Sequence, residues 1–244
     1  MATNAPSSSL PHINLLCMDE RFIHAFKEAR ETFKLPSEVS VTIHDCALSL
    51  LPSSVTFDLI ISPANSYGRL DGGFDDAISR AFSPRDEYLA LTKVAQGVLY
   101  SEWRGFAPPG TCTLVRIPES FKVRSRNVWG TKFLALCPTM RTPQEVEWDR
   151  EVVYEAIWSL MCAVDKHNMA VVEGKADGEA RIESLLMTPM ATGIGKVSAE
   201  RWAGQLCLAL KHFIDAQANP GKWSALQPAE IFDHCNEVVD TWTL

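Results

Sequence analysis

The sequence predicts a layered α/β fold around a mixed, mostly parallel sheet, and three observations carry that prediction. Short apolar runs alternate with longer amphipathic stretches of helical period. Some of those runs show no polar alternation, as strands buried on both faces do not. Pro, Gly and Ser close most of them, which separates the elements cleanly. With 244 residues, 46% of them hydrophobic and 22% charged, the chain can bury roughly 70% of its unfolded surface. That suits one substantial core and excludes a fibrous, disordered or disulfide-scaffold chain.

Taken in order, residues 1–11 are small, polar and proline-bearing, and are expected to form a mobile tail before a single domain over 12–244. Ile13, Leu15 and Leu16 read as a first strand. Asp19 then stands as N-cap before Phe22, Ile23, Phe26, Ala29 and Phe33, which recur at helical spacing. A strand over Val39–Ile43 follows Pro36. Phe57 and Leu59–Ile61 form an unbroken apolar run that predicts a central strand. Phe74, Ile78 and Ala81 make one helical stripe that Pro84 ends. A longer helix is expected over about 86–103, strands over Thr111–Ile117 and Lys132–Leu136, and a helix from Pro143 to about His167. Leu185–Thr188 reads as a last buried strand, Ser198 to about Ala218 as a helix, and about 220 onward as a C-terminal extension without an apolar strand.

Charge narrows the function classes. Lys and Arg number 23 against 30 Asp and Glu, a formal net charge of −7, which lacks the broad positive field that contact with phosphate backbones requires, so no nucleic-acid partner is expected. The seven cysteines are odd in number, dispersed and never spaced C-x-x-C; they read as reduced thiols, most of them buried. MATNAPSSSLPH has no cationic start or apolar run, and nowhere do about 18 uninterrupted apolar residues occur. The expectation is an intracellular protein, cytoplasmic or nuclear, with no membrane partner. His44 beside Asp45 and Cys46, and His234 beside Asp233 and Cys235, lack metal-ligand spacing, so no metal and no cofactor is expected.

Two segments have the form of anion-holding loops between a strand and a helix. One is FDLIISPANSYGRLDGGFDDAISRAF, residues 57–82; the other is LLMTPMATGIGKVSAERWAGQ, residues 185–205. Neither is a P-loop or a dinucleotide fingerprint, but a pair of such loops could clamp a pyrophosphate. By local chemistry alone Asn65 suits an Asx-turn, Asp71 a cap, Asp75 and Asp76 the positive end of a helix dipole, and Gly193 and Gly195 backbone turns.

These residues resemble the macrodomain family, whose members bind ADP-ribose. The family's N-A-A-N strand end, glycine run, Val-Asp pair and helix lie ungapped on Ser62-Pro63-Ala64-Asn65 through Gly72-Gly73-Phe74-Asp75 to Ala77-Ile78, and its S-T-G-x-x-G element lies on Ala191-Thr192-Gly193-Ile194-Gly195. The resemblance implies a three-layer α/β/α fold. It also implies roles: Asp45, with Cys46 beside it, for the adenine amino group; Gly72, Gly73 and Phe74 for one side of the diphosphate, with Ala64 behind them; Thr192, Gly193, Ile194, Gly195 and Lys196 for the other; and Asn65 for the distal ribose hydroxyls. In hydrolytic members an Asp at the helix start orients a water or the scissile ribose, and Asp75 stands there with Asp76 adjacent.

Three departures mark a divergent branch. Ser62 replaces the family's first Asn, Leu70-Asp71-Gly72-Gly73 replaces a run of glycines, and Ile194-Gly195-Lys196 stands where an aromatic-glycine pair is usual. The run Leu-Asp-Gly-Gly-Phe-Asp-Asp resembles the acidic loop of arginine-specific macrodomain ADP-ribosyl hydrolases. Carboxylates beside a scissile bond suit a guanidinium leaving group, whose fixed N–H donors match them. Asp71 is assigned to recognising or protonating the leaving guanidinium and Asp75 to orienting water or ribose, two roles open to exchange. The expected partners are thus ADP-ribose and mono-ADP-ribosylated proteins, ubiquitin or other arginine-modified targets among them, met by a monomer. A non-catalytic ADP-ribose reader and an ADP-ribose 1″-phosphate phosphatase are the alternative readings.

Overall fold

A computed structural model describes residues 10–176 and 178–244. Six strands among them form one sheet: β1 (His12–Leu16), β2 (Val41–His44), β3 (Leu59–Ser62), β4 (Thr113–Arg116), β5 (Phe133–Leu136) and β6 (Ser184–Met187), in the order β2-β1-β6-β3-β5-β4. Only β4 runs antiparallel, against β5. β3 lies inside the sheet between β6 and β5 with every residue buried, as its unbroken apolar run requires.

The helices are α1 (Glu20–Thr32), α2 (Gly73–Phe82), α3 (Ala90–Trp103), α4 (Val152–Val172), α5 (Ala199–Ala218), α6 (Pro220–Trp223) and α7 (Pro228–Val239). They cover both faces of the sheet. Ile13, Leu15, Leu59 and Ile61 point into one core with Phe26, Ile157, Trp202 and Leu206 of α1, α4 and α5. Alternate residues Leu16, Ile60 and Leu186 point into a second core with Ile78, Phe82, Leu91 and Leu99 of α2 and α3. This is the period-two division of a strand between two layers, and it makes the fold α/β/α. No helix among the described residues is long and apolar enough to cross a membrane.

Asp19 and Ser198 cap α1 and α5, each accepting a backbone N–H two or three residues on. The helix expected from Pro143 begins instead at Val152. Tertiary contacts claim the intervening backbone: Val146 is buried, its N–H donates to the Gly195 carbonyl at 3.0 Å, and Arg141 lies 4.9 Å over the Trp148 ring. The helix expected from residue 86 starts at Ala90, after a turn in which Asp86 pairs with Arg124. Of the tail expected over 1–11, residues 1–9 lie outside the described residues, whereas Leu10 packs on the core and Pro11 is buried. The cysteines are all unbridged, but only Cys17, Cys137 and Cys207 are buried, fewer than expected.

Candidate functional site

All five parallel strands end at one edge of the sheet. β1 connects through α1 to β2 on one face, and β3 leads into α2 on the other, so the chain diverges at the β1, β6 and β3 ends. A crevice at such a divergence is where open α/β sheets bind ligands. The loops after β6 and β3 leave from adjacent parallel strands and thus face each other there. The carboxyl end of β2, with Asp45, lies three strand spacings from β3, about 14 Å away.

At the β3 end, Ser62 donates its hydroxyl to Asp75 Oδ1 at 2.6 Å. Ser62 has no exposure and Asp75 only 7%. Burial pushes the Asp75 carboxyl up to about 7; the Ser62 bond opposes that rise, and the Asp71 charge adds to it. Asp75 sits in the first turn of α2, where the dipole favours an anion, yet desolvation prevails. Burial thus brings its titration into the neutral range.

Its two acidic neighbours are held differently. Arg69 donates to Asp71 Oδ2 from Nε at 2.8 Å and also from Nη2. Asp76 accepts from Arg80 Nε at 2.8 Å and from the Tyr88 hydroxyl at 2.6 Å, and those bonds hold its carboxyl below the usual range. Asn65 spends its side chain on its own loop: Oδ1 accepts the Tyr67 N–H at 3.0 Å, and the amide donates to the Arg69 carbonyl at 3.0 Å. Ala64 is fully buried, its carbonyl taken by the Thr139 N–H.

Gly72 and Gly73 are exposed, and a Cβ on either would meet open space; Gly73 adopts φ +55°. The N–H groups of Gly72, Gly73 and Phe74 have no protein acceptor among the described residues, the usual state of a helix start open to an anion. Phe74 itself packs on the second core. In the facing loop the N–H groups of Thr192, Gly193, Ile194 and Gly195 have no such acceptor either. Thr192 donates its hydroxyl to the Pro189 carbonyl, Ile194 is exposed, and Lys196 pairs with Glu145. Gly195 is different: a Cβ there would lie 2.4 Å from the Ala191 carbonyl oxygen and 2.7 Å from Val146 Cγ2, so close packing demands a glycine. Asp45 is exposed and Cys46 half-buried. Asp45 lies close enough to Cys17, at the end of β1, to help burial push that thiol up to about 12.

The fold thus gathers Ser62, Asp71, Asp75 and Asp76 after β3, leads the 192–196 loop out of the adjacent strand β6, and sets Asp45 at the far end of the same edge. Four contributors escape a linear reading. Arg69 and Tyr88 hold two of the carboxylates, and Tyr67 meets Phe106 edge-on at 5.6 Å beside the Asn65 loop, both rings exposed. A tyrosine inside a glycine loop was the only local signal for the last pair.

Among solved structures the chain is similar to macrodomains. It matches the Oceanobacillus iheyensis macrodomain with ADP at 16% identity and a TM-score of 0.46, over 65% of this chain and 70% of that one. The same macrodomain with MES bound gives 17% identity, a TM-score of 0.45 and the same coverage. No protein-family profile matches the chain, and no curated protein does.

Proposed function

We propose that the chain binds ADP-ribose along the carboxyl edge of the sheet and hydrolyses mono-ADP-ribose from modified protein side chains, arginine above all. The observation that carries this reading is Asp75: a buried carboxyl near neutral pKa, held by Ser62, beside open amides at the start of α2. A general acid or base works best with a pKa near the working pH, and carboxyls perturbed by burial cluster at functional sites. Order along the edge supports the ligand. Asp45 would take the adenine amino group, the amides of 192–195 and of 72–74 the diphosphate, and the Asp75 end the distal ribose, in the sequence β2, β6, β3.

In this reading water adds to the anomeric carbon as its bond to the guanidine nitrogen breaks. Asp75 takes the proton from water and passes it to the departing nitrogen, so the products are ADP-ribose and a guanidinium. Asp71 accepts from the substrate guanidinium in place of Arg69, and Asp76 orders the first turn of α2 beside it. Asn65 fixes the turn that carries Arg69 and Asp71. The partners are then ADP-ribosylated proteins.

The test is release of ADP-ribose from proteins modified separately at arginine, at glutamate or aspartate, and at serine, with wild type beside Asp71→Ala and Asp75→Ala. Selective release from arginine, lost in Asp75→Ala with ADP-ribose still bound, is expected. Full activity in both variants would sink the assignment. One observation favours a second reading, a non-catalytic reader: Asp71 and Asp76 already pair with Arg69 and Arg80, which leaves only Asp75 without a cation. No release from any linkage, with ADP-ribose bound, would establish it.

A further inference from the structure

Away from the crevice, the fold brings together three groups that the sequence keeps far apart. His212 is on α5, and His234 and Glu237 are one turn apart on one face of α7. One ligating atom from each lies within 4.8 Å of the others. We propose that His212, His234 and Glu237 form a binding site for a zinc-type divalent cation that fastens α7 to α5.

The donor set is two imidazoles and a carboxylate, which suits zinc and leaves a fourth position for water. His212 Nε2 stands 3.3 Å from Glu237 Oε2, and ligands about 2.0–2.1 Å from a tetrahedral zinc sit roughly that far apart. The other ring nitrogen of His212, Nδ1, meets the Tyr154 hydroxyl at 3.0 Å. Such a partner fixes the tautomer and orients a ligating imidazole.

A plain His212–Glu237 hydrogen bond accounts for less. His234 Nδ1 is buried with no partner among the described residues, and an unsatisfied buried nitrogen is costly. The His234 ring is held in place by Trp223, stacked at 4.7 Å, and by the His212 ring edge at 5.0 Å. Lys211 Nζ donates to Glu237 Oε2 at 2.7 Å; it is part-exposed and can move to the other oxygen when a cation arrives. The fold also gives the tie a purpose. Val238 is the only buried residue of α7, while Ile231 and Phe232 are exposed, so apolar packing alone holds this helix weakly.

The experiment titrates zinc chloride into the full chain, wild type beside His234→Gln, Glu237→Gln and Cys235→Ser, with thermal melts and, for cobalt chloride, visible absorption. The two Gln variants change part-exposed side chains, and circular dichroism confirms their fold. Expected are one zinc per chain, a Tm rise of about 5–10 °C at metal one hundred times Kd, and the intense bands of tetrahedral cobalt. Both signals should vanish in His234→Gln and Glu237→Gln and persist in Cys235→Ser. No Tm rise in wild type, or equal rises in all four proteins, would overturn the site.

Discussion

Replacing Asp75 with Asn tests the buried carboxyl directly, because a carboxamide has nearly the shape of the protonated acid but cannot ionise. Burial holds the native carboxyl at about 7 against the ordinary aspartate value of 3.8, a difference worth on the order of 4 kcal/mol. The sign follows from the direction. The native state holds a proton that the unfolded chain has released, so this group favours the fold fully below pH 3.8, and the advantage is lost as pH climbs through about 7. At pH 4 wild type and Asp75→Asn should therefore melt together. At pH 8 the variant should be more stable, by a Tm difference on the order of 10 °C for a chain of this length. Every other carboxylate titrates in both proteins, so the difference between their melting curves, measured from pH 4 to 8.5, isolates Asp75. A difference that does not change with pH would refute the raised pKa of the buried carboxyl and the chemistry built on it. In the same variant, release of ADP-ribose from arginine should fall about 10²- to 10⁴-fold, with ADP-ribose affinity little changed.

Asp76→Ala should lower turnover less than about tenfold, since that carboxylate is already held by Arg80 and Tyr88; a loss equal to that of Asp75→Asn would transfer the chemistry to Asp76. Arg69→Ala frees Asp71 from an internal guanidinium and should lower KM for the arginine-linked substrate by at most about fivefold, the scale of an exposed ion pair, with kcat unchanged; a raised KM would mean that Arg69 serves the ligand instead. Gly195→Ala forces a Cβ to within 2.4 Å of a backbone oxygen and should cost about 1–3 kcal/mol, read as a lower Tm. Gly193→Ala meets open space, so its Tm should hold while calorimetry shows weaker ADP-ribose binding.

What a linear reading could and could not see divides along one physical line. β3 was legible because Leu59, Ile60 and Ile61 face no solvent on either side, and α1 and α5 because Asp19 and Ser198 cap them through backbone N–H groups only two or three residues on. Pro143 looked like a helix start, but the chain beyond it lends Val146 and Glu145 to the loop of Gly195 and Lys196, some fifty residues on. The candidate site follows the same division. Its glycines and carboxylates cluster in two short stretches, and the resemblance rests on those. Their states do not lie in the stretches. Asp71 and Asp76 are answered by Arg69, Arg80 and Tyr88, whereas the burial that raises Asp75 comes from β3 and the core behind it. Ser62, a departure from the family motif, donates the one side-chain hydrogen bond that reaches Asp75 among the described residues. A serine hydroxyl supplies a single proton and bears no charge, so it can hold that carboxyl in place and still leave its pKa to be set by burial. An arginine at position 62 would have pinned Asp75 as an anion, as Arg80 does Asp76, and taken from it the neutral-range titration that burial gives.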